Sequence, residues 1–144
     1  IIKILDTYFF FFYGATVEEN IKEYVEQTKE CLISNNITKE AHEKLQKQET
    51  FDDVVSKCFM ACVLKKSGVM DQDGKLSVEG SKIFHAKIQA DPETLKKIYD
   101  LVDFCVKVND EPVHDGSKGC DRAALIQKCA MEKMPEVKKS SNNY

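Results

Sequence analysis

Residues 51–66 read FDDVVSKCFMACVLKK, and the fold of the chain turns on this stretch. Phe51, Val54, Val55, Cys58, Phe59, Cys62 and Val63 recur at i, i+3, i+4, i+7, i+8, i+11 and i+12, the spacing that lines side chains along one face of an α-helix. A helix so patterned is expected to be buried along that stripe. Cys58 and Cys62 sit one turn apart and point the same way, so they are better placed to reach two other segments than to bond to each other. Thr50 is the expected N-cap, with Asp52 and Asp53 in the first turn. Lys65 and Lys66 precede Gly68 at the far end, so the charges follow the helix dipole.

Upstream, Val17, Ile21, Tyr24, Val25, Thr28, Cys31 and Leu32 keep helical spacing, with glutamates on the other faces. Asn35 and Asn36 can take left-handed conformations and end this first helix, and Thr38 can cap a short second one through about Lys47. Downstream, Asp71-Gln72-Asp73-Gly74-Lys75 invites a calcium-loop reading. Setting Gly74 at position six puts Val69 at position one and Gly80 at position twelve, so two obligatory carboxylates are missing and a polar turn is expected. Ser77 caps a fourth helix, whose first turn Gly80 should weaken, and Asp91-Pro92-Glu93 starts a fifth. Residues 109–119 read as a loop, and Asp121 opens a sixth helix that runs through Met134 to the stop at Pro135. No alternating run is long enough for a strand, so the fold class is all-α.

A chain of 144 residues with 42% apolar content and a net charge of −3 is one slightly acidic domain. Its basic residues do not cluster, which argues against nucleic acid and against an anionic membrane as partners. Six cysteines without a Cys-x2-Cys pair fit disulfides in an oxidising compartment better than a zinc site, so the protein is expected to be secreted into extracellular fluid. Residues 1–15 agree with this. Lys3 is followed by a short apolar run and then by Gly14, Ala15 and Thr16, as in a signal-peptide remnant, and the run is too short for stable membrane insertion. The helical domain is then 16–144.

Cys31, Cys58, Cys62, Cys105, Cys120 and Cys129 are separated by 26, 3, 42, 14 and 8 residues. This order resembles the six-cysteine pattern of insect odorant-binding proteins, the family of pheromone-binding and general odorant-binding proteins, over about Val17 to Met134. Six cysteines allow fifteen pairings. The resemblance implies one of them: Cys31 with Cys62, Cys58 with Cys120, and Cys105 with Cys129. It also implies a six-helix, disulfide-stapled bundle enclosing an apolar ligand cavity among the third to sixth helices. In this chain that points to Phe59, Met60, Val63, Leu64, Val69, Ile83, Phe84, Ile88, Ile98, Leu101, Val102, Ala124 and Leu125.

The expected function is therefore a carrier for a small hydrophobic molecule such as an odorant, pheromone or fatty acid, with no catalytic residue, cofactor or metal. A membrane receptor and a homodimer stay open as partners. A helical interaction or toxin-like scaffold without a cavity is the alternative. A small lipid-acting enzyme is disfavoured, because none of His42, His85 or His114 lies in a cysteine-rich helix and His114-Asp115 falls in a surface loop. Beyond Pro135 only Val137 and Tyr144 are large and apolar, so the polar tail is expected to act as a lid, with Tyr144 at the entrance, rather than to fill the cavity.

Overall fold

The computed structural model describes residues 16–47 and 53–133. Thr16 opens α1 (Val17–Ser34) through a capping box: its hydroxyl accepts from the Glu19 N–H, and the Glu19 carboxylate accepts from the Thr16 N–H. The helix ends at the asparagine pair, where Asn36 takes φ 54°. Thr38 caps α2 (Lys39–Gln46) by accepting from the Ala41 N–H. Next comes α3 (Val54–Ser67), and its cap is Asp53 rather than the expected Thr50. Asp53 can bind Ser56 twice, through the N–H at 2.8 Å and the hydroxyl at 2.6 Å, so it ends the search for a cap three residues later than the pattern suggests. Phe51, Thr50 and Asp52 lie outside the described residues, as do residues 1–15, Met134, Pro135 and the tail.

Then follow α4 (Val78–Ile88), capped by Ser77, α5 (Pro92–Cys105), capped by Asp91 with proline in its first turn, and α6 (Cys120–Lys133). Asp121, expected to open the last helix, is its second residue; its N–H is taken by Asp115 Oδ2 at 3.1 Å. The loop read at 109–119 is partly ordered into 3-10 turns at Val106–Asp110 and Gly116–Lys118. Among the described residues the sole β pairing is an isolated bridge between Met70 and Leu76 that flanks the 71–75 turn. In that turn Asp71 Oδ1 accepts from the N–H groups of Asp73 and Lys75, an Asx turn.

Gly80 does more than weaken a first turn. A Cβ built there would run into the carbonyl oxygen of Gly68, so the glycine is what lets the end of α3 sit against the start of α4.

Five helices close into a ring. α1 packs on α3, α3 on α6, α6 on α5, α5 on α4, and α4 back on α1, while the remaining pairs among these five touch slightly at most. Three seams carry disulfides: Cys31–Cys62 joins α1 to α3, Cys58–Cys120 joins α3 to α6, and Cys105–Cys129 joins α5 to α6. This is the pairing the resemblance implies, with Cα separations of 5.8, 4.4 and 5.9 Å that a disulfide spans without backbone displacement. The loops interlock, since Cys58 lies inside the first and Cys105 inside the second.

Two apolar clusters result. One gathers Ala61, Val69, Met70, Leu76, Val108, Ala123 and Ile126 around the Cys105–Cys129 bridge; the other gathers Phe59 and Val63 around the fully buried Cys31. This corrects the single stripe expected for residues 51–66. Val54 and Val55 are 69% and 49% exposed, whereas Ala61, off the stripe, is buried. The reason is tertiary: α3 is flanked by α1 on one side and α6 on the other, so it buries two faces along its C-terminal part and leaves Val54 and Val55 at its start uncovered. The α1 stripe is corrected likewise, for Ile21 and Val25 are exposed and Cys31 is the buried residue of the helix.

Candidate functional site

The residues expected to line a cavity fall at three depths. Val69 is buried in the first cluster, Val102 is buried on α5, and Phe59 and Val63 are buried in the second cluster. Met60, Leu64, Phe84, Leu101 and Leu125, drawn from four helices, are only partly buried while packing against the first cluster; Met60 touches both clusters. Ile88, Ile98 and Ala124 are likewise partly buried. Ile83 faces outward and is 51% exposed. Tyr144 lies outside the described residues.

Among the hollows formed by described residues, two are open to solvent. One is a groove with a cavity volume of about 110 Å³ where α1, α4 and the end of α3 meet, lined by Asn20, Glu23, Tyr24, Gln27, Lys66, Ser67, Ile83, Phe84, Lys87 and Ile88. Three of these, Ile83, Phe84 and Ile88, belong to the expected set. The other is a wider trough of about 540 Å³ between α2 and the start of α3, lined by Ile37, Thr38, Glu40, Ala41, Lys44, Leu45, Asp53, Val55 and Ser56. None of the expected residues lines it.

The expected lining was drawn from the third to sixth helices, whereas α1 also lines the first groove. Tyr24 of α1 stacks at 5.2 Å and 53° on Phe84, and burial raises its phenol above the usual range, which keeps it a neutral hydroxyl. Its place in the α1 stripe was the available signal. Beside it, the His85 ring meets Phe84 edge-on at 5.1 Å. His85 Nδ1 lies 2.7 Å from the Ser81 carbonyl oxygen, which can only accept, so the proton sits on Nδ1. Burial holds this imidazole below its usual range and therefore neutral at pH 7.

Around the start of α6 the chemistry is structural. Arg122 is buried and donates through one terminal nitrogen to the carbonyl oxygens of Val108 and Glu111, clamping the turn after α5 onto α6. His114 and Asp115, the adjacent pair in the loop, serve Asp121: the His114 N–H donates to Asp121 Oδ2, and Asp115 Oδ2 accepts from the Asp121 N–H. Among the described residues no group of three or more His, Cys, Asp or Glu is placed to hold a metal ion. No described helix is long and apolar enough to cross a membrane.

Comparison with known proteins agrees with this architecture. The chain is 28% identical over 120 residues to general odorant-binding protein 19d of Drosophila melanogaster, covering 83% of this chain and 77% of that protein. It is 25% identical over 116 residues to general odorant-binding protein 28a of the same species, covering 78% and 76%. The solved structure of the odorant-binding protein dmelOBP28a superposes with a TM-score of 0.64 at 25% identity, over 86% of this chain and 97% of that one. Residues 14–133 match the family model that describes the PBP/GOBP family. Six helices, three interlocked disulfides and that match have one reading: the chain belongs to the PBP/GOBP family, the pheromone-binding and general odorant-binding proteins.

Proposed function

We propose that this protein is a secreted carrier that holds one small hydrophobic molecule inside the five-helix ring. The observation that carries the reading is the ring itself. Met60, Leu64, Phe84, Leu101 and Leu125, drawn from four of the five helices, are apolar, incompletely buried and packed against the first cluster, which supports an apolar interior able to take a ligand. Such an interior forgoes core packing, at a cost on the order of 24 cal/mol per Å³ of void. The disulfides offset that cost, each loop being worth roughly 3 to 4 kcal/mol in the chain-entropy model. The names of the two Drosophila relatives, both general odorant-binding proteins, favour the same reading. An apolar interior of this kind suits long-chain alcohols, acids, esters and terpenoids.

Burying a chain of ten to twelve carbons gains ~8 to 10 kcal/mol gross at ~0.8 kcal/mol per methylene, and the entropic costs of association bring the net towards micromolar dissociation constants. The oxidised protein should therefore bind a neutral fluorescent apolar probe at about one per chain, and long-chain lipophiles should displace it. Saturable probe binding that no lipophile displaces would remove the carrier reading.

A further inference from the structure

We propose that Asn36, in the turn between α1 and α2, is the acceptor of an asparagine-linked oligosaccharide added as the chain enters the secretory pathway. The inference rests on the secretion reading and adds a covalent modification site to it.

The sequence supplies the chemistry. Asn36-Ile37-Thr38 is an Asn-x-Thr triplet without proline at its centre, the pattern that marks an N-glycosylation acceptor in a secreted protein. Asn20, Asn35, Asn109 and Asn142 have neither serine nor threonine two residues on, so in this sequence the triplet at Asn36 stands by itself. The donor is a polyprenyl-diphosphate-linked oligosaccharide. Asn36 Nδ2 bonds to the anomeric carbon of its reducing-end N-acetylglucosamine while the bond from that carbon to the diphosphate oxygen breaks. The diphosphate leaves with the electron pair, and Nδ2 gives up one proton.

The fold supplies the presentation. The Asn36 N–H donates to the Ile33 carbonyl oxygen at 3.1 Å and the Ile37 N–H to that of Leu32 at 3.0 Å, with Asn36 at φ 54°, so α1 closes in a Schellman turn that has Asn36 at its left-handed position. Leu32 and Ile37 pack against the cluster around Cys31, which is itself bonded to Cys62. The turn is thus anchored from below, while Asn36 and Thr38 are both exposed. An oligosaccharide here crosses no seam of the ring. It rises beside α2, which is not a ring helix, at the edge of the trough that Ile37 and Thr38 line.

Both residues also serve the backbone: Asn36 takes a positive φ, and Thr38 caps α2 by accepting from the Ala41 N–H at 3.1 Å. Asn36→Gly keeps the first use and Thr38→Asp the second, yet each destroys the triplet, whereas Thr38→Ser keeps both cap and triplet.

The test expresses the full chain behind a cleavable secretion signal in kifunensine-treated mammalian cells. Intact mass is read before and after endoglycosidase H, with peptide mapping, on secreted and cell-retained protein alike. The wild type and Thr38→Ser should carry one oligosaccharide, trimmed by the enzyme to a single N-acetylglucosamine on the Asn36 peptide. Asn36→Gly and Thr38→Asp should carry none, with circular dichroism unchanged. Wild type that has lost its signal yet keeps the unmodified mass overturns the site, as does a glycan that survives Asn36→Gly or is absent from Thr38→Ser. Glycosylated wild type that stays inside the cells keeps the site and counts against secretion. Displacement of the fluorescent probe from the same preparations decides the carrier reading separately: a glycosylated protein whose probe no lipophile displaces keeps the site and removes the carrier.

Discussion

Gly80 shows how a single missing side chain sets the approach of two helices. Gly80→Ala would drive a Cβ into the Gly68 carbonyl, a backbone atom that cannot swing aside, and overpacking of this kind costs about 1 to 3 kcal/mol. Thermal unfolding should show the loss, whereas Glu79→Ala, one residue away and exposed, should leave the midpoint nearly unchanged. His85 gives stability a pH dependence of definite sign. Burial lowers its pKa in the folded state from the ordinary 6.5, so as pH falls below that value the unfolded chain takes up the proton first. Stability is therefore complete at pH 7 and above and declines from about pH 6.5 towards the lower folded-state value. His85→Gln should flatten this decline in urea titrations at pH 7.5, 6.5 and 5.5. The capping carboxylates of Asp53 and Asp91 act in a separate window. Bonds from Ser56 and Thr94 lower their pKa values from the ordinary 3.8, so their contribution is present above that pH and is lost as pH falls through the folded-state values.

Among the elements, α3 is fastened on both sides, and its two bonds are not equivalent. The Cys31–Cys62 seam is backed by the Lys66–Glu30 pair at 2.7 Å, while the Cys58–Cys120 seam is backed by Lys57–Asp121 at 3.8 Å. Cys58–Cys120 also closes the longest loop, a separation of 62 residues against 31 and 24 for the others. The double variant Cys58→Ser/Cys120→Ser should lose about 2 to 5 kcal/mol and should weaken probe binding more than Cys31→Ser/Cys62→Ser does. Equal probe affinity in the two variants would detach the α3–α6 seam from the ligand site. Single cysteine variants are less informative, because each leaves a free thiol able to exchange.

For the whole molecule the decisive question is which hollow takes the ligand. Of the two hollows, the trough of about 540 Å³ beside α2 is the larger, but it lies outside the ring. Leu101→Gln puts an amide into the ring and should reduce probe affinity tenfold or more. Leu45→Gln, in the trough, should leave it within a factor of two. The reverse result would move the site to the trough. Circular dichroism of both variants separates loss of binding from loss of fold.

The positions of all six helices, the caps Thr38, Ser77 and Asp91 and the family pattern of the cysteines could be read from the chain, because helical period, capping chemistry and cysteine spacing are local properties. Asp53 escaped because two acceptable caps lay three residues apart, and the choice between them rests on a bond to Ser56 that the pattern does not rank. What tertiary structure alone decided is the order of helices around the ring. Periodicity tells that α3 has an apolar stripe but not that it is covered on two sides, and so Val54 and Val55 were expected inside while Ala61 was not. Nor could the chain show that α1 closes the ring against α4, bringing Tyr24 onto Phe84 and placing Lys87 at their seam. Those contacts join residues some sixty positions apart. They depend on how three cross-links fix five helices at once, a property of the assembled chain and of no segment within it.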